Sequence, residues 1–153
     1  ILNVNMIIYY IFKLLKINHY NQIIPNLYLG NYHSINLNEY NLIVNCTKDL
    51  KDDFIKTDKI RIPIHDNYIF KNNEIIDYLD ELDIIDRYLK NNKKVLIFCK
   101  FGFQRSTTVT LLYLILKKKL KKNDAINLIK TNRTISYFIL NNFSHIFKDL
   151  TIS

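Results

Sequence analysis

The segment Lys94-Val-Leu-Ile-Phe-Cys99-Lys-Phe-Gly102-Phe-Gln-Arg105-Ser106 begins with a short apolar run and is followed by a second, longer one. The run before Cys99 is short and rich in branched residues, which predicts a buried strand, and the run from Thr107 to Lys119 predicts a helix. A thiol, a glycine, an arginine and a hydroxyl therefore share one strand-to-helix turn. The chain has 153 residues and only two glycines, so a glycine at this turn is informative.

This turn has the chemistry of a phosphate site with a nucleophile at its base. Backbone N–H groups of a strand-to-helix turn point toward one anion, and Arg105 can return its guanidinium to two phosphate oxygens. The helix N-terminus favours a thiolate at Cys99, poised for in-line attack on phosphorus, and Ser106 is expected to donate to the sulfur as it leaves. The expected phosphate-binding residues are Lys100, Phe101, Gly102, Phe103, Gln104 and Arg105.

The second cysteine, Cys46, follows an apolar run and is expected to be a small structural hydrophobe. Two cysteines give no disulfide framework. We therefore expect an intracellular, reducing compartment, the cytoplasm.

The order of the predicted elements favours an α/β fold. Strands are expected near 26–29, 41–46, 59–64 and 94–98, and helices near 73–91, 105–120, 123–131 and 138–149, with Asn123 as a cap. Strands that alternate with helices predict a single domain with a mainly parallel central sheet flanked by helices. Ligands of such sheets bind beyond the carboxyl ends of the strands, where Cys99 falls.

The turn resembles the Cys-x5-Arg-Ser/Thr signature of protein tyrosine phosphatases, in particular the dual-specificity branch. Weaker likenesses follow in the family's order from about Ile24 onward: Asn26-Leu-Tyr-Leu-Gly-Asn-Tyr32, Leu42-Ile-Val-Asn-Cys-Thr47, Ile62-Pro-Ile-His-Asp66 and Asn132-Arg-Thr-Ile135. The chain also resembles the poxvirus virion dual-specificity phosphatases, which have a short apolar helix before the Tyr-Leu-Gly-Asn-Tyr element. If the protein is viral, this resemblance implies the host cytoplasm or the virion as its location.

The resemblance implies a role for Asp66 as the general acid, 33 residues before Cys99. The alternative for Asp66 is a turn aspartate in His65-Asp-Asn67, and Asp52 and Asp53 are weaker candidates for the acid. His65 is expected to be a surface residue. No cluster of His, Cys and carboxylate residues has metal-ligand spacing, so we expect neither a metal nor a cofactor.

The chain departs from the family at Phe98, where relatives usually have a histidine next to the nucleophile. A phenyl ring neither orders the loop by hydrogen bonding nor favours the thiolate. We therefore expect Cys99 to ionise less readily than in relatives with histidine.

The family resemblance implies a phosphatase that acts on phosphotyrosine and on phosphoserine and phosphothreonine in proteins. The alternatives are an RNA 5′-phosphatase or triphosphatase, a phosphoinositide phosphatase, or a catalytically silent phosphate-binding module. Phe103 counts against the lipid substrate, because lipid phosphatases tend to have a second lysine there. Retention of Cys99, Arg105 and Asp66 together counts against a silent module.

The N-terminal part, residues 1–19, is expected to be an apolar helix added to a catalytic domain of residues 20–153. Met6–Lys16 is too short to span a bilayer. We expect it to pack on the domain or on a second copy, which predicts a homodimer; a membrane-surface helix and a signal are the alternatives. The net charge of +8 suits a substrate or partner that carries negative charge, and the resemblance implies a phosphoprotein substrate. The lysine run 117–122 is expected to lie in solvent at a helix end, and a nucleic-acid partner, although disfavoured, stays open.

Overall fold

The computed structural model describes residues 3–64 and 76–137. Its strands are β1 (Tyr20–Ile24), β2 (Leu27–Gly30), β3 (Leu42–Asn45), β4 (Asp58–Arg61) and β5 (Val95–Phe98). Its helices are α1 (Val4–Leu14), α2 (Leu79–Lys90), α3 (Arg105–Leu116) and α4 (Lys122–Asn132), with 3₁₀ turns at Tyr32–Asn36 and Ile76–Tyr78.

The five strands form one sheet in the order β1-β2-β5-β3-β4. β1 and β2 are antiparallel, and the other neighbouring pairs are parallel. Strand β5 is therefore central, and Cys99 follows it directly at the carboxyl end of the sheet. The predicted α/β fold with a mainly parallel central sheet is confirmed.

The alternation of side chains along the strands divides the core into two layers. Val95, Ile97 and Cys99 face the main cluster, which also contains the buried residues of α2, α3 and α4. Leu96 and Phe98 face the opposite layer, which is made with Ile35, Tyr40, Ile43 and Ile55. Adjacent residues of the strand-to-helix segment thus belong to different sides of the sheet.

Helix α3 lies inside the domain, because every residue from Arg105 to Leu114 is buried. A helix that is buried all round has no polar face to show to water. Two of its hydroxyls are bonded internally, since Tyr113 donates to Asp86 Oδ1 at 3.0 Å and Thr110 donates to Ser106 O at 2.8 Å. The hydroxyls of Thr107 and Thr108 are buried without a hydrogen-bond partner among the described residues. This burial gives the turn before α3 a rigid support.

Two predicted features differ from the structure. Strand β1 was not expected, because Tyr20–Ile24 is a half-exposed edge strand without alternating apolar residues. It pairs through the turn at Asn26, whose φ is 68°. The prediction that Asn123 caps a helix was wrong, because α4 begins at Lys122 and Lys121 is its cap.

The remaining expected elements lie near the observed ones where the structure describes them. The expected helix 138–149 lies outside the described residues, as do residues 73–75 of the helix expected at 73–91. Helix α1 buries Ile8 and Phe12 against the domain. Packing on the domain is one of the two arrangements expected for this helix, the other being packing on a second copy. Within residues 3–64 and 76–137, no helix has the length and apolar character needed to cross a membrane.

Candidate active site

The site is built on the turn between β5 and α3. Cys99 is 2% exposed, and its Sγ lies 3.1 Å from the Oγ of Ser106 in the first turn of α3. Arg105 is the first residue of α3 and is buried as well. The structure thus brings together three of the four expected catalytic residues, and the fourth, Asp66, lies outside the described residues.

The two glycines of the chain meet at this site. Gly102 has a φ of +68°, and a Cβ there would lie 2.6 Å from the carbonyl carbon of Gly30. A Cβ on Gly30 would in turn lie 2.8 Å from the backbone oxygen of His19. Glycine is therefore needed at 102 where the loop approaches β2, and at 30 where β2 approaches the backbone of His19, since ordinary contacts of a Cβ begin near 3.4 Å.

The loop is also tied to β2 and to the residues that follow this strand. Gly30 pairs with Phe98 in the parallel ladder, and the N–H of Cys99 donates to Gly30 O at 3.4 Å. The N–H of Tyr32 donates to Lys100 O at 3.4 Å. The end of β2 therefore fixes the start of the phosphate loop.

Aromatic rings connect the loop to helix α1. Phe103 stacks on Phe12 of α1 at 5.7 Å between ring centroids, and Phe101 stacks on Phe103 at 5.8 Å. Phe12 also stacks on His19 at 5.3 Å. The side chain of Phe103 is thus packed against the N-terminal helix and against Phe101.

Cys46 lies beside Cys99 at the end of the neighbouring strand. Its N–H donates to Phe98 O at 2.9 Å, and both cysteine side chains belong to the same core cluster. Burial raises the pKa of Cys46, with a further rise from the charge of Cys99 and a smaller lowering from Arg105. The buried Cys46 is thereby kept as a neutral thiol, in line with its expected structural role.

Phe98 precedes the nucleophile in sequence but lies on the other side of the sheet. Its ring is fully buried and packs against Tyr32 at 6.2 Å between centroids. Any influence of this ring on Cys99 therefore passes through the backbone of the strand rather than through direct contact within the pocket.

The alternative acids Asp52 and Asp53 differ in their surroundings. Asp52 Oδ2 accepts hydrogen bonds from Arg61 at 2.7 Å and from the amide of Asn45 at 3.0 Å. These bonds hold Asp52 in a structural ion pair at the end of β3. Asp53 is exposed, and His65 lies outside the described residues.

One residue of the site had no role assigned from sequence. Arg133 follows α4, is 1% exposed, and donates from Nε to Gly102 O at 2.9 Å. In the sequence, Arg133 belongs to Asn132-Arg-Thr-Ile135, which resembles an element of the family. That resemblance does not reveal which residues Arg133 contacts.

Comparisons with known proteins agree with this geometry. Residues 27–150 match the profile of the family described as dual specificity phosphatase, catalytic domain. Human dual specificity protein phosphatase 9 is 35% identical over 122 residues, which are 74% of this chain and 31% of that protein. Protein 123R of Invertebrate iridescent virus 6, named as a candidate tyrosine phosphatase, is 31% identical over 76% of this chain and 81% of its own length.

The fold is shared with solved structures. Human DUSP28 superposes with a TM-score of 0.77 at 18% identity, over 88% of this chain and 95% of that one. The chain spans less than a third of the length of the human relative, dual specificity protein phosphatase 9.

Proposed function

Because the chain belongs to the dual-specificity phosphatase family, we propose that it hydrolyses phosphotyrosine and phosphoserine or phosphothreonine in proteins through a cysteinyl-phosphate on Cys99. The observation that carries the proposal is the contact of 3.1 Å between Cys99 Sγ and Ser106 Oγ at the buried start of α3. A thiol there lies at the positive end of a helix and beneath the N–H groups of the loop.

The first step is attack by the Cys99 thiolate on phosphorus. The S–P bond forms as the bond from phosphorus to the substrate oxygen breaks, and the leaving oxygen takes a proton from Asp66. Arg105 and the loop N–H groups stabilise the charge on the equatorial phosphate oxygens. The role of Asp66 rests on the family resemblance and on its place in the sequence.

The second step returns the enzyme to its starting state. Water attacks phosphorus while the Asp66 carboxylate takes its proton, and the S–P bond breaks to give inorganic phosphate and a thiolate. The hydroxyl of Ser106, within hydrogen-bond distance of Sγ, donates to the sulfur as negative charge returns to it.

Residues 100–105 form the proposed phosphate cradle. The positive φ of Gly102 supports this assignment, because such a backbone turns successive N–H groups toward one side. The side-chain nitrogen of Gln104 is buried without a hydrogen-bond partner among the described residues, so it is available to a phosphate oxygen. Within residues 3–64 and 76–137 no contact favours RNA or lipid phosphates, and Phe103 is stacked between Phe12 and Phe101.

We propose a reducing compartment, the cytoplasm, as the place of action. Both cysteines are free, and a nucleophilic thiolate needs reducing conditions to stay active.

We also propose that the outer face of α1 forms a homodimer. Four exposed residues form an apolar stripe on this face: Leu14 is 81% and Leu15 61% exposed, and Ile7 and Ile11 are also exposed. A two-fold axis would bring this stripe against itself and remove it from water. Solution mass tests this proposal: Ile11→Lys should give a monomer and Leu37→Lys, an exposed leucine elsewhere, should not. A wild-type monomer would contradict it.

The catalytic proposal is tested with purified protein on phosphotyrosine peptide, phosphothreonine peptide, triphosphate-ended RNA and phosphoinositide vesicles. We expect turnover of both peptides, and loss of at least about a hundredfold in Cys99→Ser with peptide binding retained. Cys46→Ala is the matched control, since it removes the neighbouring thiol, and should keep its activity. Residual activity above about one per cent in Cys99→Ser would refute the nucleophile assignment. Turnover confined to RNA or lipid would refute the substrate class.

A further inference from the structure

Arg133 joins three separate parts of the chain. Its Nε donates to Gly102 O at 2.9 Å, and its Nη1 donates to Asn18 O at 3.0 Å and to Asn21 Oδ1 at 2.7 Å. It thereby connects the phosphate loop to β1 and to the link between α1 and β1. A side chain that makes these contacts at 1% exposure is fixed in one geometry.

The contacts fall on the back of the loop. If the N–H groups of residues 100–105 face the phosphate, the carbonyl oxygens between them face away from it. Gly102 O accepts from Arg133, and the next carbonyl, Phe103 O, accepts from the N–H of Tyr137 at 2.8 Å. Residues 133–137 thus form hydrogen bonds to two consecutive carbonyl oxygens on the outer side of the loop. These bonds fix the orientation of the peptide planes whose N–H groups would face the phosphate.

Arg133 also places a positive charge behind the loop. The hydrogen-bond partners described for it are neutral oxygens, and its Nη2 is buried with no partner among the described residues. Burial lowers the pKa of Arg133 to about 10, and the charge of Cys99 acts in the opposite direction. The guanidinium therefore stays charged at neutral pH behind the loop.

We infer that Arg133 is a positioning residue for the proposed phosphatase reaction, which orients the loop amides toward phosphate and favours the Cys99 thiolate from the side opposite the substrate. This inference rests on the proposed function. It differs from a purely structural role, in which Arg133 would only fasten residues 18–21 to the domain and would leave the state of the thiol unchanged.

The test compares Arg133→Lys, which keeps the charge but loses the fork of donors, with Arg133→Met, which loses both. Turnover of a small aryl phosphate should fall about tenfold in the lysine variant and about a hundredfold in the methionine variant, mainly in kcat. Alkylation of Cys99 by iodoacetamide, followed by peptide mass spectrometry, should need higher pH in Arg133→Met and remain near wild type in Arg133→Lys.

A second pair of variants covers the case in which both Arg133 variants unfold. Asn21→Ala removes one of the two acceptors of Nη1 and leaves Arg133 in place, and Gln22→Ala changes the exposed neighbour on the same strand. We expect kcat to fall about threefold or more in Asn21→Ala, with KM little changed, and to stay at the wild-type value in Gln22→Ala. Equal kcat in these two variants would overturn the inference.

The alkylation measurement separates failure of this inference from failure of the proposed function. If the wild type turns over no phosphoester, the proposed function fails, but the pH dependence of Cys99 alkylation still reports the influence of Arg133. Coincident alkylation curves for the wild type and a folded Arg133→Met would overturn the inference even if the phosphatase activity were established.

Discussion

Replacement of Gly102 by alanine should damage both stability and catalysis. An alanine at a φ of +68° costs about 1–2 kcal/mol. Its Cβ would lie 2.6 Å from the carbonyl carbon of Gly30, about 0.8 Å inside an ordinary contact of 3.4 Å. Overpacking of this kind costs a further 1–3 kcal/mol, so we expect a total loss of about 2–5 kcal/mol in the free energy of unfolding.

The same overlap sets the effect on turnover. The neighbouring atoms are the backbone of Gly30 and Nη2 of Arg133, so relief of the clash must shift the loop itself. A displacement near 1 Å at reacting groups lowers rates by about a hundredfold, and we expect kcat to fall by that order.

Urea unfolding and steady-state kinetics of Gly102→Ala measure the two effects. Asn92→Ala is the matched control, because Asn92 has a φ of 55° at an exposed turn and isolates the backbone contribution. If both variants lost equal stability, the close approach of Gly102 to Gly30 would not be the cause of the extra destabilisation. If Gly102→Ala kept kcat within threefold of wild type, this approach would not set the loop geometry needed for turnover.

Three further changes have defined outcomes. Arg105→Lys should lower kcat/KM at least about a hundredfold, because lysine cannot make the two-pronged phosphate contact. Phe98→His should move the acid-side limb of the pH–rate profile to lower pH, at a stability loss of about 1–3 kcal/mol for a polar ring among apolar neighbours. Tyr113→Phe should lower the free energy of unfolding at pH 7 by about 1 kcal/mol through loss of the bond to Asp86. Burial alone would raise the pKa of Asp86, but the hydrogen bonds from Lys90 and Tyr113 and the charges of Lys90 and Lys118 together outweigh it and lower that pKa.

The pH dependence for Asp86 follows from that direction. A carboxyl whose pKa is lowered on folding contributes stability above its unfolded value of 3.8, and this contribution is lost as the pH falls through the folded value. The difference in free energy of unfolding between wild type and Tyr113→Phe should therefore narrow at acid pH. A difference that stays constant with pH would contradict this account of Asp86.

Near-full activity of Arg105→Lys would show that Arg105 does not make the two-pronged contact with phosphate. Coincident pH profiles for Phe98→His and wild type would mean that the loop alone sets the ionisation of Cys99.

The sequence was most informative where local pattern and local chemistry coincide. The apolar runs before Cys99 and after Ser106 predicted β5 and α3. Both elements are buried, and buried elements have an apolar composition that can be seen in the sequence. Gly102 was identified as a loop residue because a tight turn into a helix needs its conformational freedom.

Contacts between distant residues could not be derived in this way. The opposition of Gly102 and Gly30 depends on the pairing of β2 with β5, and the bonds of Arg133 depend on where α4 ends. Strand β1 was missed because its pairing with β2, rather than its own composition, makes it a strand. Side chains alternate along a strand, so Phe98 and Cys99 lie on opposite sides of the sheet. The expectation that Phe98 affects the ionisation of Cys99 did not take this alternation into account.

The long-range bonds of Arg133 have a consequence for when activity appears during synthesis. The bond from Nη1 to Asn18 O joins residues 115 positions apart in the chain. Contacts of such separation form late in folding, because the ordering of the intervening chain must precede them. A nascent chain released before Arg133 contains the cysteine, the arginine and the loop glycine but lacks the bonds behind the loop. Phosphatase activity in a translation time course should therefore lag behind the appearance of the nucleophile, and it reports a completely folded domain.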